Sequence, residues 1–142
     1  MKKKILIVVA NYYTNFAEEL LNSALSELKN FSANKILKVP GVFEIPVTIS
    51  KFIKKFDGAI ALGCVIKGET PHFDLISRST FEAIVKISVD FNKPITNGII
   101  TCLNKNQAIQ RSSVAKNSKK NNKGLEAASA VIALIKNEPK NL

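Results

Sequence analysis

Short segments rich in apolar and β-branched residues alternate along this chain with segments of helical periodicity. The short segments are Lys4–Ala10, Lys35–Val39, Gly58–Ile66 and Ile95–Leu103. The continuous apolar character of the first, Lys4–Ala10, is typical of a parallel strand that is covered on both faces. Between the short segments, apolar residues recur every three or four positions, as in amphipathic helices. The alternation predicts an α/β fold, with a four-stranded parallel sheet and helices on both of its faces.

The segments that follow the strands carry recognisable helix boundaries. We expect helices over Asn15–Lys29, from Pro46 to Lys55, over Pro71–Phe91, over Asn104–Ser112 and over Gly124–Lys136. Thr70 and Pro71 suit the N-cap and first position of the third helix, and Asn104 suits the N-cap of the fourth. The dipeptide Asn97-Gly98 alone would indicate a hairpin, but its flanks are too short for two strands. We therefore expect one strand in which Gly98 lets another segment approach closely.

Composition restricts the class of protein further. The chain has 142 residues, 46% of them apolar, which suits one domain over residues 1–142 with a single core. The longest apolar run, Ile5–Ala10, is too short to cross a bilayer or to form the core of a signal peptide, so we expect no membrane association. Cys64 and Cys102 are too few for a disulfide framework. A reducing compartment fits them best, and we expect a cytoplasmic protein.

The net charge of +10 raises the question of nucleic-acid binding. Among the 21 basic residues only Arg78 and Arg111 are arginines, whereas a nucleic-acid interface more often uses the flat arginine fork. The lysines gather at Lys2–Lys4, at Lys54 and Lys55, and within 116–123, which we interpret as a terminus, a helix end and a loop. The charge is therefore interpreted as solvated surface, and we expect no nucleic-acid partner.

Open parallel sheets bind ligands at the carboxyl ends of their strands. The loops Asn11–Thr14, Pro40–Glu44 and Lys67–His72, and the residues after Asn97, are therefore the places where a site is expected. The third of these loops leads into a long helix, whose free N–H groups and dipole can hold an anion close to Gly68. A simple capped helix is the alternative interpretation.

Several side chains in these loops have two interpretations. His72, the only histidine, is either a proton-transfer group or a capping residue. Phe43 and Glu44 either stack on and hydrogen-bond to a flat ligand, or serve as a hydrophobic staple and a first-turn charge. Tyr12 either contacts a ligand or packs at the rim, and Arg111 is either a phosphate ligand or a helix-end cation. One histidine without neighbours at ligand spacing predicts no metal site.

Taken together, these segments resemble one known family, the 6,7-dimethyl-8-ribityllumazine synthases. The resemblance rests on VPGVFEIP, GCVIKGETPHFD, NGIIT, NQAIQR and the following NKG, in that order along almost the whole chain. It implies a three-layer α/β/α flavodoxin-like fold and an enzyme of riboflavin biosynthesis that needs no cofactor. The implied reaction condenses 5-amino-6-(D-ribitylamino)uracil with 3,4-dihydroxy-2-butanone 4-phosphate. A non-catalytic assembly protein on the same fold is the first alternative; a dinucleotide enzyme is disfavoured, because GxGxxG is missing after the first strand.

The resemblance also implies a role for individual residues. The residues implied to bind the pyrimidine and ribityl groups are Tyr12, Val42, Phe43, Glu44, Cys64, Val65, Ile66 and Asn97. Those implied to bind the butanone phosphate are Glu69, Thr70 and Arg111, and His72 is implied to transfer protons. Tyr12 and Asn97 stand where phenylalanine is common in the family. Whether Lys119, Lys120 or Lys123 assists phosphate binding stays open.

The resemblance further implies a homopentamer whose active sites lie at subunit interfaces. Asn97 and Arg111 would then act in the site of a neighbouring subunit. Some members stack pentamers into an icosahedral shell, but the segment between Arg111 and Lys123 is longer here than the compact turn of such members. We therefore expect an isolated pentamer rather than a shell, with small-molecule substrates as its other partners.

Overall fold

The computed structural model describes residues 2–113, 122–137 and 139. Its strands are β1 (Lys3–Ala10), β2 (Ser32–Val39), β3 (Gly58–Ile66) and β4 (Ile95–Cys102). Its α-helices are α1 (Thr14–Leu28), α2 (Ile45–Phe52), α3 (His72–Phe91), α4 (Lys105–Ser112) and α5 (Lys123–Lys136). Short 3₁₀ turns span Val42–Glu44 and Ile53–Lys55. Most of the predicted lysine-rich loop, residues 114–121, lies outside the described residues.

The four strands form one sheet with the order β2-β1-β3-β4, and every pairing is parallel. Ile7 lies opposite Ile36 on one side and Ile60 on the other, so β1 is an interior strand. Its side chains are buried from Ile5 to Ala10 because helices cover both faces of the sheet. The predicted parallel α/β fold is thus confirmed.

Alternate residues of each strand point into two separate cores. Ile5, Ile7 and Val9 pack with α1 and α5 on one face, whereas Leu6, Val8 and Ala10 pack with α2 and α3 on the other. This alternation follows from the two-residue period of a strand. The result is the three-layer α/β/α flavodoxin-like architecture that the resemblance implied.

Several predicted boundaries differ from those in the structure. The helix predicted to reach Lys55 ends as an α-helix at Phe52 and continues as the 3₁₀ turn Ile53–Lys55. Three further differences have local reasons. Strand β2 begins at Ser32 instead of Lys35, because the polar start of this edge strand pairs with β1 from Lys3 onward. The predicted loop at Gly41–Glu44 contains a 3₁₀ turn that Glu44 closes on the backbone of Gly41. Helix α3 begins at His72, with Pro71 and not Thr70 as its N-cap, because the carbonyl of Pro71 accepts the first helical hydrogen bonds.

Two glycines allow α5 to lie close to the sheet and to α1. A Cβ atom on Gly98 would lie 3.1 Å from the carbonyl oxygen of Lys123, which confirms the predicted close approach in β4. A Cβ atom on Gly124 would overlap the carbonyl of Leu20 in α1. The first turn of α5 is therefore held against two neighbouring elements, and this placement matters for the site described next.

Candidate active site

A cleft of about 400 Å³ opens at the carboxyl ends of β1, β2 and β3. Its lining residues come from the loops and strand ends at this edge of the sheet: Tyr12, Tyr13, Gly41, Val42, Phe43, Glu44, Cys64, Val65, Ile66, His72 and Ile76. Eight of the predicted site residues are in this set. The parallel topology brings them together although they are distant in the sequence.

The floor of the cleft depends on close packing at Gly63 in β3. A Cβ atom there would lie 2.9 Å from Cγ1 of Val42 and 3.0 Å from Cβ of Ala10. Val42 can therefore pack directly on the strand, where it is almost fully buried. Further along β3, Val65 and Ile66 are half-buried and contribute an apolar surface to the cleft.

The wall opposite the strand end is the 3₁₀ turn that carries Phe43 and Glu44. The ring of Phe43 is 56% exposed, which leaves it free to stack on a flat molecule. Oε1 of Glu44 accepts a hydrogen bond from the N–H of Gly41 at 2.9 Å. Glu44 therefore both closes its own turn and lines the cleft. Its structural interpretation and its ligand-binding interpretation do not exclude each other.

Two adjacent tyrosines form the rim beside β1. Tyr12 is 75% exposed, and its ring meets that of Tyr13 edge-to-face at 4.9 Å. Tyr13 is half-buried and packs against Phe16, with 6.2 Å between ring centroids. Burial raises the pKa of the Tyr13 phenol, with smaller contributions from Tyr12 and Cys64. Tyr13 was not among the predicted site residues; its position beside Tyr12 at the end of a strand was the available signal.

His72 lies in the first turn of α3 and lines the cleft with an exposed side chain. Its backbone N–H donates to Oγ1 of Thr70 at 3.4 Å. Glu69 and Thr70 are exposed on the loop that leads to His72 and are not among the residues that line the cleft. A Cβ atom on Gly68 would meet nothing within 4 Å, so this loop has open space around it.

Asn97 and Arg111 lie elsewhere, in a second cavity that we call the cationic cavity. It has a volume of about 240 Å³ and is lined by Phe81, Asn97, Ile99, Ile100, Thr101, Arg111 and Lys123. A neighbouring space of about 210 Å³ is lined by Gln110, Arg111, Lys123 and Glu126. Arg111 and Lys123 border both spaces, and none of these residues lines the cleft.

Hydrogen bonds within the subunit orient the polar groups of the cationic cavity. Oδ1 of Asn97 accepts from the N–H of Ile99 at 2.9 Å. Nη1 of Arg111 reaches the carbonyl oxygen of Gln107 at 3.5 Å, and Nζ of Lys123 pairs with Oε2 of Glu126 at 2.8 Å. Glu126 was not predicted, although its i,i+3 spacing from Lys123 in a first helical turn is a readable signal.

Cys64 lines the cleft and neighbours Cys102, and both cysteines are free and buried. Burial raises the pKa of the Cys64 thiol to about 12, and the neighbouring Cys102 adds to this effect. Burial also raises the pKa of Cys102, while the nearby Arg111 guanidinium acts in the opposite direction. The cleft thiol is therefore a neutral packing group near neutral pH and not a nucleophile.

The part of the chain that the structure describes holds no group of three histidine, cysteine or acidic side chains arranged to bind a metal ion. No helix within those same residues has the length and apolar character needed to span a membrane.

Comparison with known proteins gives one consistent result. The model of the family described as 6,7-dimethyl-8-ribityllumazine synthase matches residues 2–138. The chain belongs to this family. It is 36% identical over 132 residues to the 6,7-dimethyl-8-ribityllumazine synthase of Arthrobacter sp. (strain FB24), covering 92% of this chain and 81% of that protein. The family works in riboflavin biosynthesis, and its members are transferases.

Two other members of the lumazine synthase family show a similar degree of likeness. The 6,7-dimethyl-8-ribityllumazine synthase 1 of Rhodopseudomonas palustris is 38% identical over 141 residues, covering 94% of this chain and 84% of that protein. The synthase of the archaeon Thermococcus kodakarensis is 37% identical over 135 residues, covering 92% of this chain and 83% of that protein. The likeness therefore extends along nearly all of the chain.

Proposed function

We propose that the protein condenses 5-amino-6-(D-ribitylamino)uracil with 3,4-dihydroxy-2-butanone 4-phosphate to give 6,7-dimethyl-8-ribityllumazine, phosphate and water. One observation carries the proposal beyond family membership. The residues expected to hold the ring substrate line one cleft with His72, while Asn97 and Arg111, expected to act in a neighbour's site, share a separate cavity.

The cleft has the chemistry that a ribitylated pyrimidine needs. Phe43 and Tyr12 offer exposed aromatic faces for the ring, and Val42 with Ile66 supplies apolar surface beside it. Glu44 accepts hydrogen bonds from ring N–H or ribityl hydroxyl groups. Backbone groups at the end of β3, from Cys64 to Ile66, complete the hydrogen bonding of the ring.

The reaction itself is mainly a sequence of proton transfers. The substrate amine attacks the ketone, water leaves to form an imine, phosphate is eliminated, and ring closure releases a second water. The imidazole of His72 lines the cleft, and it carries protons between these steps. The proposal includes no cofactor or metal ion. Each water takes up a proton as it leaves, and the second substrate already carries phosphate as its leaving group.

The phosphate of the second substrate needs cationic partners. Arg111 and Lys123 border the same cavity, and the guanidinium of Arg111 and the ammonium of Lys123, which also pairs with Glu126, are the cationic groups there. Glu69 and Thr70, on the exposed loop before His72, contact the butanone phosphate from the cleft side. Binding holds the phosphate in position for departure, which is largely an effect of orientation and electrostatics.

A complete site then requires two subunits, the cleft of one and the cationic cavity of its neighbour. Such an arrangement fits a closed homopentamer, which we propose as the functional form in the cytoplasm, without further assembly into a shell. Large apolar side chains are exposed among the described residues and suit such contacts: Val47, Leu75, Val85, Val89, Leu103, Ile109 and Leu134.

The test is activity followed by lumazine absorbance, with the purified protein and both substrates. We expect turnover above the uncatalysed background, lost in His72→Ala and in Arg111→Ala. Background rates for the unaltered protein would instead favour a non-catalytic assembly protein.

Coexpression of the two inactive variants tests the shared site. If each site takes His72 from one subunit and Arg111 from the next, random mixing restores about a quarter of the sites. If both residues serve the same subunit, every site stays defective and coexpression restores nothing. Variants mixed after separate purification, without subunit exchange, are the control.

A further inference from the structure

Asn122 forms an unusually complete buried network just before α5. Its side chain is 2% exposed. Nδ2 donates to Oγ of Ser23 at 2.9 Å and to the carbonyl oxygens of Ser112 at 2.9 Å and Ser113 at 3.0 Å. Oδ1 accepts from the N–H of Leu125 at 2.9 Å and so caps α5. One side chain therefore connects α1, the end of α4 and the start of α5.

The residues that Asn122 connects are direct neighbours of the two cations. Arg111 immediately precedes Ser112, whose carbonyl accepts from Asn122, and Lys123 immediately follows Asn122. Ser112 is itself fully buried, and its hydroxyl donates to the carbonyl of Ala108 at 2.7 Å. The relative position of the two cations therefore depends on the backbone that this amide holds.

We propose that Asn122 is a positioning residue that holds Arg111 and Lys123 on one cavity for the phosphate of the substrate. The inference rests on the proposed function, in which these two cations bind phosphate. It adds that their spacing is set by a side chain that does not itself line either space beside them.

Only an amide meets the requirements at this position. The acceptor oxygen caps the helix, and the two N–H hydrogens serve three acceptors, so one hydrogen is shared. Aspartate keeps the cap but places a carboxylate oxygen against two carbonyls. Serine keeps a weaker cap and has no second group to reach the carbonyls. Asn122→Asp therefore removes the connection and adds repulsion, whereas Asn122→Ser removes the connection without repulsion.

Asn104 provides a matched control. It caps α4 by accepting from the N–H of Gln107 at 3.0 Å, but its side chain is exposed and makes no connection to α1 or α5 among the described residues. Asn104→Asp thus changes the same cap chemistry without touching the network.

The experiment compares Asn122→Asp, Asn122→Ser and Asn104→Asp for three quantities: KM for the butanone phosphate, KM for the ribitylaminouracil, and inhibition by inorganic phosphate. We expect both Asn122 variants to raise the KM for the phosphate substrate and the inhibition constant of phosphate by about tenfold, because small misplacement of binding groups is costly. The KM for the uracil substrate stays within about twofold, because none of the residues that Asn122 contacts lines the cleft. Asn104→Asp is expected to behave like the unaltered protein.

A second measurement keeps the test sharp if Asn122→Asp folds poorly. Binding of inorganic phosphate is followed directly by calorimetry in the folded fraction of Asn122→Ser, alone and combined with Arg111→Ala. Because Asn122 is inferred to act partly through Arg111, the loss of phosphate binding in the combined variant should be smaller than the sum of the two separate losses.

Three outcomes would overturn the inference: a lowered melting temperature with unchanged phosphate binding, an equal rise in both KM values, or additive losses in the combined variant. Phosphate binding is measured without turnover. Failure of the condensation assay would therefore contradict the proposed function. The role of Asn122 would still be decided by the measurements of phosphate binding.

Discussion

The cleft and the cationic cavity are held in place by different interactions. The floor of the cleft is apolar packing, in which Val42 rests on Gly63 at the end of a buried strand. The cationic cavity depends on hydrogen bonds between helix ends, centred on Asn122. Packing of this kind tolerates little change in volume, whereas a buried polar network tolerates little change in chemistry. Substitutions should therefore damage the two regions separately.

The largest effect is expected for Gly124→Ala, on the side of the cationic cavity. Alanine gains about 1 kcal/mol in helix propensity, but its methyl group would overlap the carbonyl of Leu20. We expect a net loss of about 3 kcal/mol in the free energy of unfolding, at the upper end for an overpacked contact. Chemical denaturation measures it. Gly68→Ala, in open space, is the control and should be nearly neutral.

A smaller loss is expected for Gly63→Ala, on the side of the cleft. The new methyl group meets side-chain atoms of Val42 and Ala10 and not a backbone carbonyl, so Val42 can shift in response. We expect about 2 kcal/mol of destabilisation together with weaker binding of the uracil substrate. Inhibition by inorganic phosphate should be unchanged. A parallel loss of phosphate binding would show that the two regions are not independent.

Phe43→Ala should separate binding from stability. The ring is more than half exposed, so we expect the free energy of unfolding to change by no more than about 0.5 kcal/mol. The KM for the ribitylaminouracil should rise about tenfold through lost stacking, as measured by steady-state kinetics. Lys51→Ala, on the exposed surface of α2 and lining neither region, is the control. Equal effects of the two variants would contradict stacking on Phe43.

The contrast between apolar packing in the cleft and hydrogen bonding at the cationic cavity also explains which parts of the structure the sequence could predict. Strands β3 and β4 were predicted to within one residue because long apolar runs have sharp ends, whereas the start of β2 was missed because Ser32, Ala33 and Asn34 are small or polar. The loops that border the cleft followed from topology, since parallel strands end at one edge, whereas Cys64, Val65 and Ile66 were implied only by the family resemblance. Helix α3 and its histidine were placed by the proline that precedes them.

The cationic cavity could not be predicted in the same way. Asn122 is separated from Ser23 by 99 positions, and their hydrogen bond depends on how closely α5 packs on α1 at Gly124. Local sequence patterns contain no information on a contact between residues so far apart along the chain. For the same reason, the role of Lys123 stayed open in the prediction from sequence, whereas in the structure Lys123 and Arg111 line the same cavity.

The last effect concerns the cleft thiol: it is absent near neutral pH and is expected only at alkaline pH. The pKa of Cys64 is about 12 in the folded protein, against an ordinary thiol value of 9.0. Below pH 9 the thiol is protonated in both states, so its contribution to stability is fully present. Between pH 9 and 12 only the unfolded thiol loses its proton, and the free energy of unfolding falls. Cys64→Ala should flatten this fall, measured by urea denaturation at several pH values; equal slopes would mean that burial of this thiol does not govern its titration.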